Sequence, residues 1–275
     1  MTTTGLPATP TRRIAPPPRW RPSGTVAGTT LAVLALLIFC GVKTEISVPA
    51  LVQGWHGMVD FVQQAFPPDL SWTETVQPAL QALVVTFAIG LMGTVLALPF
   101  SLVLAVLGSR TTTAGPFWYQ TARTIMSTLR AVPDVVFALV FVTAVGLGPF
   151  AGVLAIVVHG TGVQAKLWSE AMDETDPDAL AALRSTGARR TQVLLHAVLP
   201  DVAASFVGLV LYRLDVNVRT SLVLGLVGAG GIGFLIDQSI QLFRFDQMVT
   251  QLALVLVLIV AVDVLSSRLR KRLHD

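Results

Sequence analysis

The sequence predicts an all-α integral membrane protein with about six transmembrane helices. Of its 275 residues, 53% are hydrophobic and only 13% are charged, whereas a soluble domain carries roughly 25% charged residues. Six apolar runs approach the ~20 residues that a helix needs to cross a bilayer. The basic residues collect between these runs in an alternating pattern, which predicts the topology as well as the class.

The apolar runs define the predicted spans. They occupy residues 25–42, 79–107, 131–147, 150–168, 202–226 and 248–266. The tail 1–24, rich in Thr, Pro and Arg, is typical of a disordered segment. A signal peptide is the alternative for the first run, but no small-x-small cleavage site follows it, so we expect an uncleaved helix. The polar segments 43–78 and 108–130 are expected to lie on opposite sides of the membrane, the latter as a loop or surface helix.

Basic residues mark one side of the predicted bundle. Four lie before the first span, three follow the second span, four stand at or after the end of the fourth, and four follow the sixth, which makes 15 of the 19 Lys and Arg residues. The opposite side holds only Lys43 and Arg244. Because cytoplasmic loops are enriched in Lys and Arg, we expect both termini and both basic loops in the cytoplasm.

The loop 169–200 carries the most specific pattern. Asp176 and Pro177 suit a helix start, because Asp caps free amides and Pro fits the first turn. Residues 178–186 then read as one short helix, which Gly187 ends. Residues 189–199 read as a second helix, and Pro200 marks the entry to the fifth span. Such a helix pair forms a rigid knob that suits docking to a soluble partner.

This loop resembles the cytoplasmic "EAA" loop of ABC importer permeases. The resemblance rests on the run 181–188, which reads Ala-Ala-Leu-Arg-Ser-Thr-Gly-Ala, and on the Leu-Pro pair at 199–200. The acidic first position of that motif is Ala181 here, and the third is Leu183. The resemblance implies a type I importer permease with a cytoplasmic coupling helix that contacts an ATPase. The implied coupling residues are Ala181, Ala182, Arg184, Gly187, Ala188, Leu199 and Pro200.

Further segments resemble permeases of the phosphonate-import subfamily. They are residues 130–134 and 145–154, the side chains His159, Gly162 and Lys166, and the stretch from Asn217-Val218-Arg219 to the glycines at 228–233. The resemblance covers roughly residues 79–270. It implies a bacterial cell-membrane permease core at 79–267 with a basic tail at 268–275, and a cargo of phosphonate, phosphite or phosphate. The implied partners are a second copy, two ATPase subunits that use ATP and Mg, and an extracytoplasmic binding protein.

Charged side chains inside the fifth span suggest a transport path. Asp215 and Arg219 are four residues apart and share a helix face, as do Arg213 and Asn217. An anionic cargo needs positive charge or hydrogen-bond donors along its route; a structural ion pair is the alternative reading. For His159 the alternative is a packing role, and for Asp134 a capping role. The candidate path residues are Asp134, His159, Arg213, Asp215, Asn217, Arg219, Gly230 and Gly231.

Other chemistry is disfavoured by the sequence. The run Gly228 to Gly233 fits G-x-G-x-x-G, but it follows a predicted membrane span rather than a strand, so a dinucleotide site is not expected. No G-x-x-x-x-G-K-[ST] motif occurs, and Cys40 is the only cysteine, so we expect no cofactor, metal or nucleic acid on this chain. The remaining alternatives are a permease for another solute such as methionine, a secondary transporter or channel, and a membrane-embedded enzyme.

Overall fold

The computed structural model describes residues 24–45 and 47–274, and all regular elements within them are helical. The predicted tail 1–24 lies outside the described residues except for Gly24, which begins α1. The helices are α1 Gly24–Lys43, α2 Val48–Ala65, α3 Gln77–Gly108, α4 Pro116–Ala131, α5 Asp134–Val145, α6 Pro149–Asp173, α7 Pro177–Ser185, α8 Arg190–Val193, α9 Leu199–Leu224, α10 Gly231–Gln241 and α11 Phe245–His274.

The all-α membrane class is confirmed. Four helical stretches of the described chain are long and apolar enough to cross a membrane, or five if α4 and α5 count as one bent span. The four are 72–108, 149–173, 190–229 and 245–272. The first predicted span appears as α1, whose apolar part Gly28–Lys43 is shorter. The described residues divide after Met58 into two separate compact units, and the bundle described below belongs to the second.

The third predicted span differs from a single straight helix. Residues 131–147 contain the end of α4 and the 12-residue α5, and these two helices meet at 83°. The bend lies at Val132 and Pro133, where Val132 has extended backbone angles. A proline disfavours the helical conformation of the residue before it, so the chain turns there.

Two further helices depart from the sequence reading. The segment 43–78 contains α2. The glycine run after the fifth span is followed by the 11-residue α10. The hydropathy of the sequence did not distinguish α10 from the segments on either side of it. The predicted second helix of the loop runs directly into α9 instead of ending before Pro200. A π-helical turn at Leu194–Val198 joins the two. The wider hydrogen-bond spacing of this turn lets the continuous helix accommodate Pro200, which lacks an amide hydrogen.

Glycines let the central helices approach one another closely. A Cβ atom added to Gly93 of α3 would lie 2.5 Å from the side chain of Ile156 in α6. One added to Gly90 would lie 2.8 Å from the side chain of Val218 in α9. Because small residues permit tight helix packing in membranes, α3 can lie between α6 and α9 as the centre of the bundle.

Asp69 fastens the segment before α3 to the start of α11. Its carboxylate accepts hydrogen bonds from the hydroxyl of Thr75 and from the amide and hydroxyl of Ser71 at 2.9 and 2.8 Å. These bonds, that from Thr75 first, lower the pKa of Asp69 to about 2. The hydroxyl of Thr250 donates to the Asp69 carbonyl at 2.7 Å. The carboxylate is therefore ionised throughout the physiological pH range.

Candidate functional site

The helix pair predicted in the loop 169–200 lies at one end of the bundle, which we call the loop end. Asp176 caps α7 as expected, with its side chain accepting a hydrogen bond from the amide of Asp178 at 2.9 Å. After α7 the chain reverses at Gly187, whose φ of +79° lies in the left-handed region that favours glycine. The sequence therefore predicted both the start and the end of this helix.

The helix pair has one side buried against the bundle and an exposed outer face. Leu180 and Val193 are buried in an apolar cluster with Trp168, Met172 and Phe206. The residues matched to the coupling motif lie mostly on the other side. Ala181, Ala182, Arg184, Gly187 and Pro200 are exposed, whereas Ala188 and Leu199 are half-buried. This arrangement holds the pair rigidly to the bundle and leaves the motif open to a partner.

Two arginines connect the helix pair to the loop between α3 and α4. Arg184 donates to the carbonyl of Thr111 at 3.3 Å. Arg190 donates to the carbonyls of Thr113 and Ala114 at 3.2 and 2.6 Å. A displacement of the helix pair can thus reach α3 and α4 through side-chain contacts as well as along the chain.

Asp173, at the end of α6, joins three helices at the same place. One carboxylate oxygen accepts hydrogen bonds from the hydroxyl of Ser109 and the amide of Arg110, both at 2.7 Å. The other forms an ion pair with Arg123 of α4 at 3.2 Å. Arg123 also donates to the carbonyl of Gly108 at 2.8 Å. No pattern in the sequence indicated this cluster, because its members are far apart along the chain.

A chain of buried hydrogen bonds connects α9 to α3 inside the bundle. Arg213, 7% exposed, donates to the side-chain oxygen of Asn217 at 3.0 Å. The amide of Asn217 donates to the hydroxyl of Thr94 at 2.8 Å, and this hydroxyl donates to the carbonyl of Gly90 at 2.6 Å. Arg213 and Asn217 thus lie on one helix face, as their spacing of four residues predicted, and they also bond to each other. Thr94 was missed, because a lone Thr in an apolar span commonly bonds its own helix.

The second pair predicted within the fifth span also forms. Arg219 and the buried Asp215 lie 2.5 Å apart, and Arg219 is also 3.7 Å from Asp263 of α11. The side chains of Arg219 and Asp263 are each about half exposed. Asp215 and Arg213 belong to different hydrogen-bonded groups, so the charges of this helix form two separate clusters rather than one.

His159 and Asp134 contact the junction between α4 and α5. The Nδ1 atom of His159 lies 3.2 Å from the carbonyl of Val132, a contact typical of a packing role. Asp134 begins α5 and accepts a hydrogen bond from the amide of the next residue, Val135, at 2.9 Å; the residue that precedes the helix is Pro133, and no side chain caps it. Both side chains are half-buried.

Glycines build a tight reversal at the opposite end of the bundle, between α9 and α10, which we call the glycine end. Gly230 and Gly231 both have positive φ, +77° and +73°. A Cβ added to Gly230 would lie 2.9 Å from Pro149, and one added to Gly231 would lie 2.4 Å from the Thr86 hydroxyl. That hydroxyl accepts a hydrogen bond from the amide of Ile232 at 2.8 Å. The glycines thus have a packing role that requires no nucleotide.

A cavity of about 490 Å³ opens beside this reversal. Its lining is largely apolar and includes Gly230, Gly231, Leu147, Pro149 and Phe234. It contains none of the charged residues of α9. The eight candidate path residues are therefore distributed among three places: the α4–α5 junction, the interior of α9 and the glycine end.

Comparisons with known proteins agree with this architecture. Residues 97–275 match the model of a family described as binding-protein-dependent transport system inner membrane component. A putative phosphite transport system permease protein, HtxC of Stutzerimonas stutzeri, is 39% identical over 247 residues, covering 90% of this chain and 86% of the relative. The phosphate-import permease protein PhnE of Mycolicibacterium smegmatis is 36% identical over 226 residues, covering 82% of this chain and 42% of the relative.

Among solved structures, an inward-facing MetNI methionine ABC transporter is similar, with a TM-score of 0.59 and 25% identity. The match covers 72% of this chain and 95% of the other. The resemblance to ABC importer permeases that was read from the loop 169–200 is confirmed. The chain belongs to the family of binding-protein-dependent transport system inner membrane components and has the fold of a type I ABC importer permease.

Proposed function

We propose that this chain is the permease subunit of an ATP-driven importer for phosphonate or a related phosphorus oxyanion, phosphite or phosphate. The observation that carries the proposal is the 39% identity, over 90% of the chain, to a putative phosphite transport permease. The buried and half-exposed arginines of α9 support it, because phosphorus oxyanions are bound well by guanidinium groups. The chain is then a transport subunit and not an enzyme.

The proposed assembly contains two copies of the chain, two ATPase subunits and an extracytoplasmic binding protein. The loop end faces the cytoplasm, with both termini, and α7 docks on an ATPase that binds ATP and Mg. Closure of the two ATPases moves both helix pairs together and opens a central path toward the binding protein. Return of the ATPases opens the path inward. The chain contributes the path and the mechanical connection, and the binding protein contributes most of the specificity.

Uptake by the reconstituted complex tests this function. The chain is purified with its ATPase and binding protein and placed in liposomes, and uptake of radiolabelled phosphite, phosphate and methylphosphonate is measured with and without internal ATP. We expect ATP-dependent uptake of at least one of the three. Uptake that persists without ATP would indicate a secondary transporter or channel and would contradict the proposal.

A permease for another small solute is the second candidate. The similarity to the MetNI methionine transporter favours it, because the two proteins share a fold despite their different cargo assignments. The same liposomes distinguish the candidates when labelled methionine is offered in parallel. Methionine uptake without uptake of any phosphorus compound would replace the proposed cargo and leave the permease assignment intact.

Replacing Gly187 is expected to uncouple ATP hydrolysis from uptake. The residue is exposed and no atom lies within 4 Å of an added Cβ, but its φ is +79°. A left-handed conformation costs an ordinary residue about 1–2 kcal/mol, so Gly187→Val should displace α7 without a clash. We expect uptake per ATP hydrolysed in these liposomes to fall several-fold.

Gly187→Asn is the matched control, because Asn tolerates the left-handed conformation. It should retain most of the coupling while also adding a side chain. Normal uptake by the valine variant would count against a docking role for this helix pair.

A further inference from the structure

Unpaired polar atoms concentrate at one interface of the bundle. Six buried side-chain nitrogen or oxygen atoms of the described residues lack a hydrogen-bond partner within the protein. Four of the six belong to three residues: both amide atoms of Gln164, the indole Nε1 of Trp168 and Nε of Arg213. Buried polar groups are nearly always paired, so a concentration of exceptions requires an explanation.

These three residues lie along the contact between α6 and α9. Gly160, Gln164 and Trp168 of α6 are each four residues apart and so lie on one side of the helix, rising about 6 Å per step. A Cβ added to Gly160 would lie 3.9 Å from Nη2 of Arg213. The ring of Trp168 stacks on Phe206 of α9 at 4.5 Å. Gln164 therefore lies between two points at which α6 contacts α9.

The chemistry of this row fits water. It offers N–H donors from Arg213, Trp168 and Gln164, and an acceptor from the Gln164 carbonyl, which a chain of waters can match in turn. Beside Trp168, a cavity of about 490 Å³ is lined by Glu170, Glu174 and Arg270 among others. Glu170 pairs with Lys166 at 2.7 Å, so charges of both signs border this opening and water can solvate them.

We propose that ordered water molecules occupy a seam between α6 and α9, from the cavity at Glu170 past Trp168 and Gln164 to Arg213. The water solvates the buried guanidinium, whose charge is costly in a membrane without solvation. It also lets α6 and α9 shift past each other. Bridging waters can re-form their hydrogen bonds after such a shift, whereas direct hydrogen bonds between side chains would hold the two helices in one relative position. This second role rests on the proposed transport function; the hydration itself does not.

Radiolytic labelling tests the hydration directly. Hydroxyl radicals generated by X-rays from bound water modify adjacent side chains even when these are buried. In the purified full-length chain we expect Trp168, 5% exposed, to be modified, and the fully buried Met126, which lies in an apolar cluster on α4, to remain unmodified. Equal protection of both residues would overturn the proposal.

Gln164→Leu provides the matched variant. Removing the amide dries the middle of the seam, so labelling of Trp168 should fall at least threefold in the folded variant. Unchanged labelling of Trp168 would overturn the proposal.

Uptake measurements test separately whether the water lets α6 and α9 shift past each other, which we call the mobile role. The liposome uptake rate of Gln164→Leu should fall at least fivefold while the fold stays intact, whereas Leu211→Ile, a conservative change on α9, should transport normally. An unchanged uptake rate in Gln164→Leu would overturn the mobile role. Absence of uptake in the wild type would instead count against the proposed function, and the labelling result would still decide the hydration.

Discussion

Gly233→Ala is expected to destabilise the bundle severely. A Cβ at this position would lie 2.1 Å from the carbonyl oxygen of Leu222 and 2.9 Å from Cα of Gly225. These neighbours are backbone atoms, which cannot rotate away as a flexible side chain does, so α10 must shift as a whole. Overpacking of a well-packed interior costs about 1–3 kcal/mol and occasionally more, and a clash with backbone belongs at the upper end of that range. The melting temperature of the purified chain should fall by many degrees.

Gly208→Ala makes the same chemical change on α9 and serves as the control. No atom lies within 4 Å of its added Cβ, and alanine favours a helix over glycine by roughly 1 kcal/mol. This variant should match or slightly exceed the wild type in melting temperature. Equal melting temperatures for the two variants would refute the close contact between α9 and α10.

Asn217→Leu is expected to cost about 3 kcal/mol. The substitution removes the acceptor of Arg213 and the donor to Thr94, which leaves a buried guanidinium without its partner. Hydrogen bonds to charged groups contribute about 1.5–3 kcal/mol, and an unsatisfied buried charge adds its own penalty. Thr94→Val keeps the shape of the side chain and leaves the contact between Arg213 and Asn217, so its effect should be smaller, about 1–2 kcal/mol. Denaturation of the detergent-purified chain measures both.

A double variant, Arg213→Met with Asn217→Leu, separates structure from transport. Removing both partners of a buried polar pair is often nearly neutral for stability, so much of the lost stability should return. If Arg213 lines the path of an oxyanion, uptake should nevertheless stay at least tenfold below wild type. A double variant that is stable and transports normally would show that the pair only holds α3 and α9 together.

Local relations in the site were predictable from the sequence. The pairs Arg213 with Asn217 and Asp215 with Arg219 follow from a spacing of four residues on a helix. The start of α7 at Asp176 and its end at Gly187 follow from capping and from the conformational freedom of glycine. Contacts between distant segments were not predictable in the same way. Thr94 and Asp173 have no unusual neighbours along the chain, and only packing of the helices reveals their partners.

The sequence by itself determined the membrane class, the approximate positions of the long helices and the helix pair of the loop 169–200. Hydropathy, charge distribution and capping are properties of short segments, and they act before any tertiary contact exists. Only the tertiary structure decided that α4 and α5 meet at a sharp bend, that the charges of α9 divide into two groups, and that α10 folds back against α9. These features depend on which helices pack together, because close approach at glycines and buried hydrogen bonds arise between residues that lie far apart in the chain.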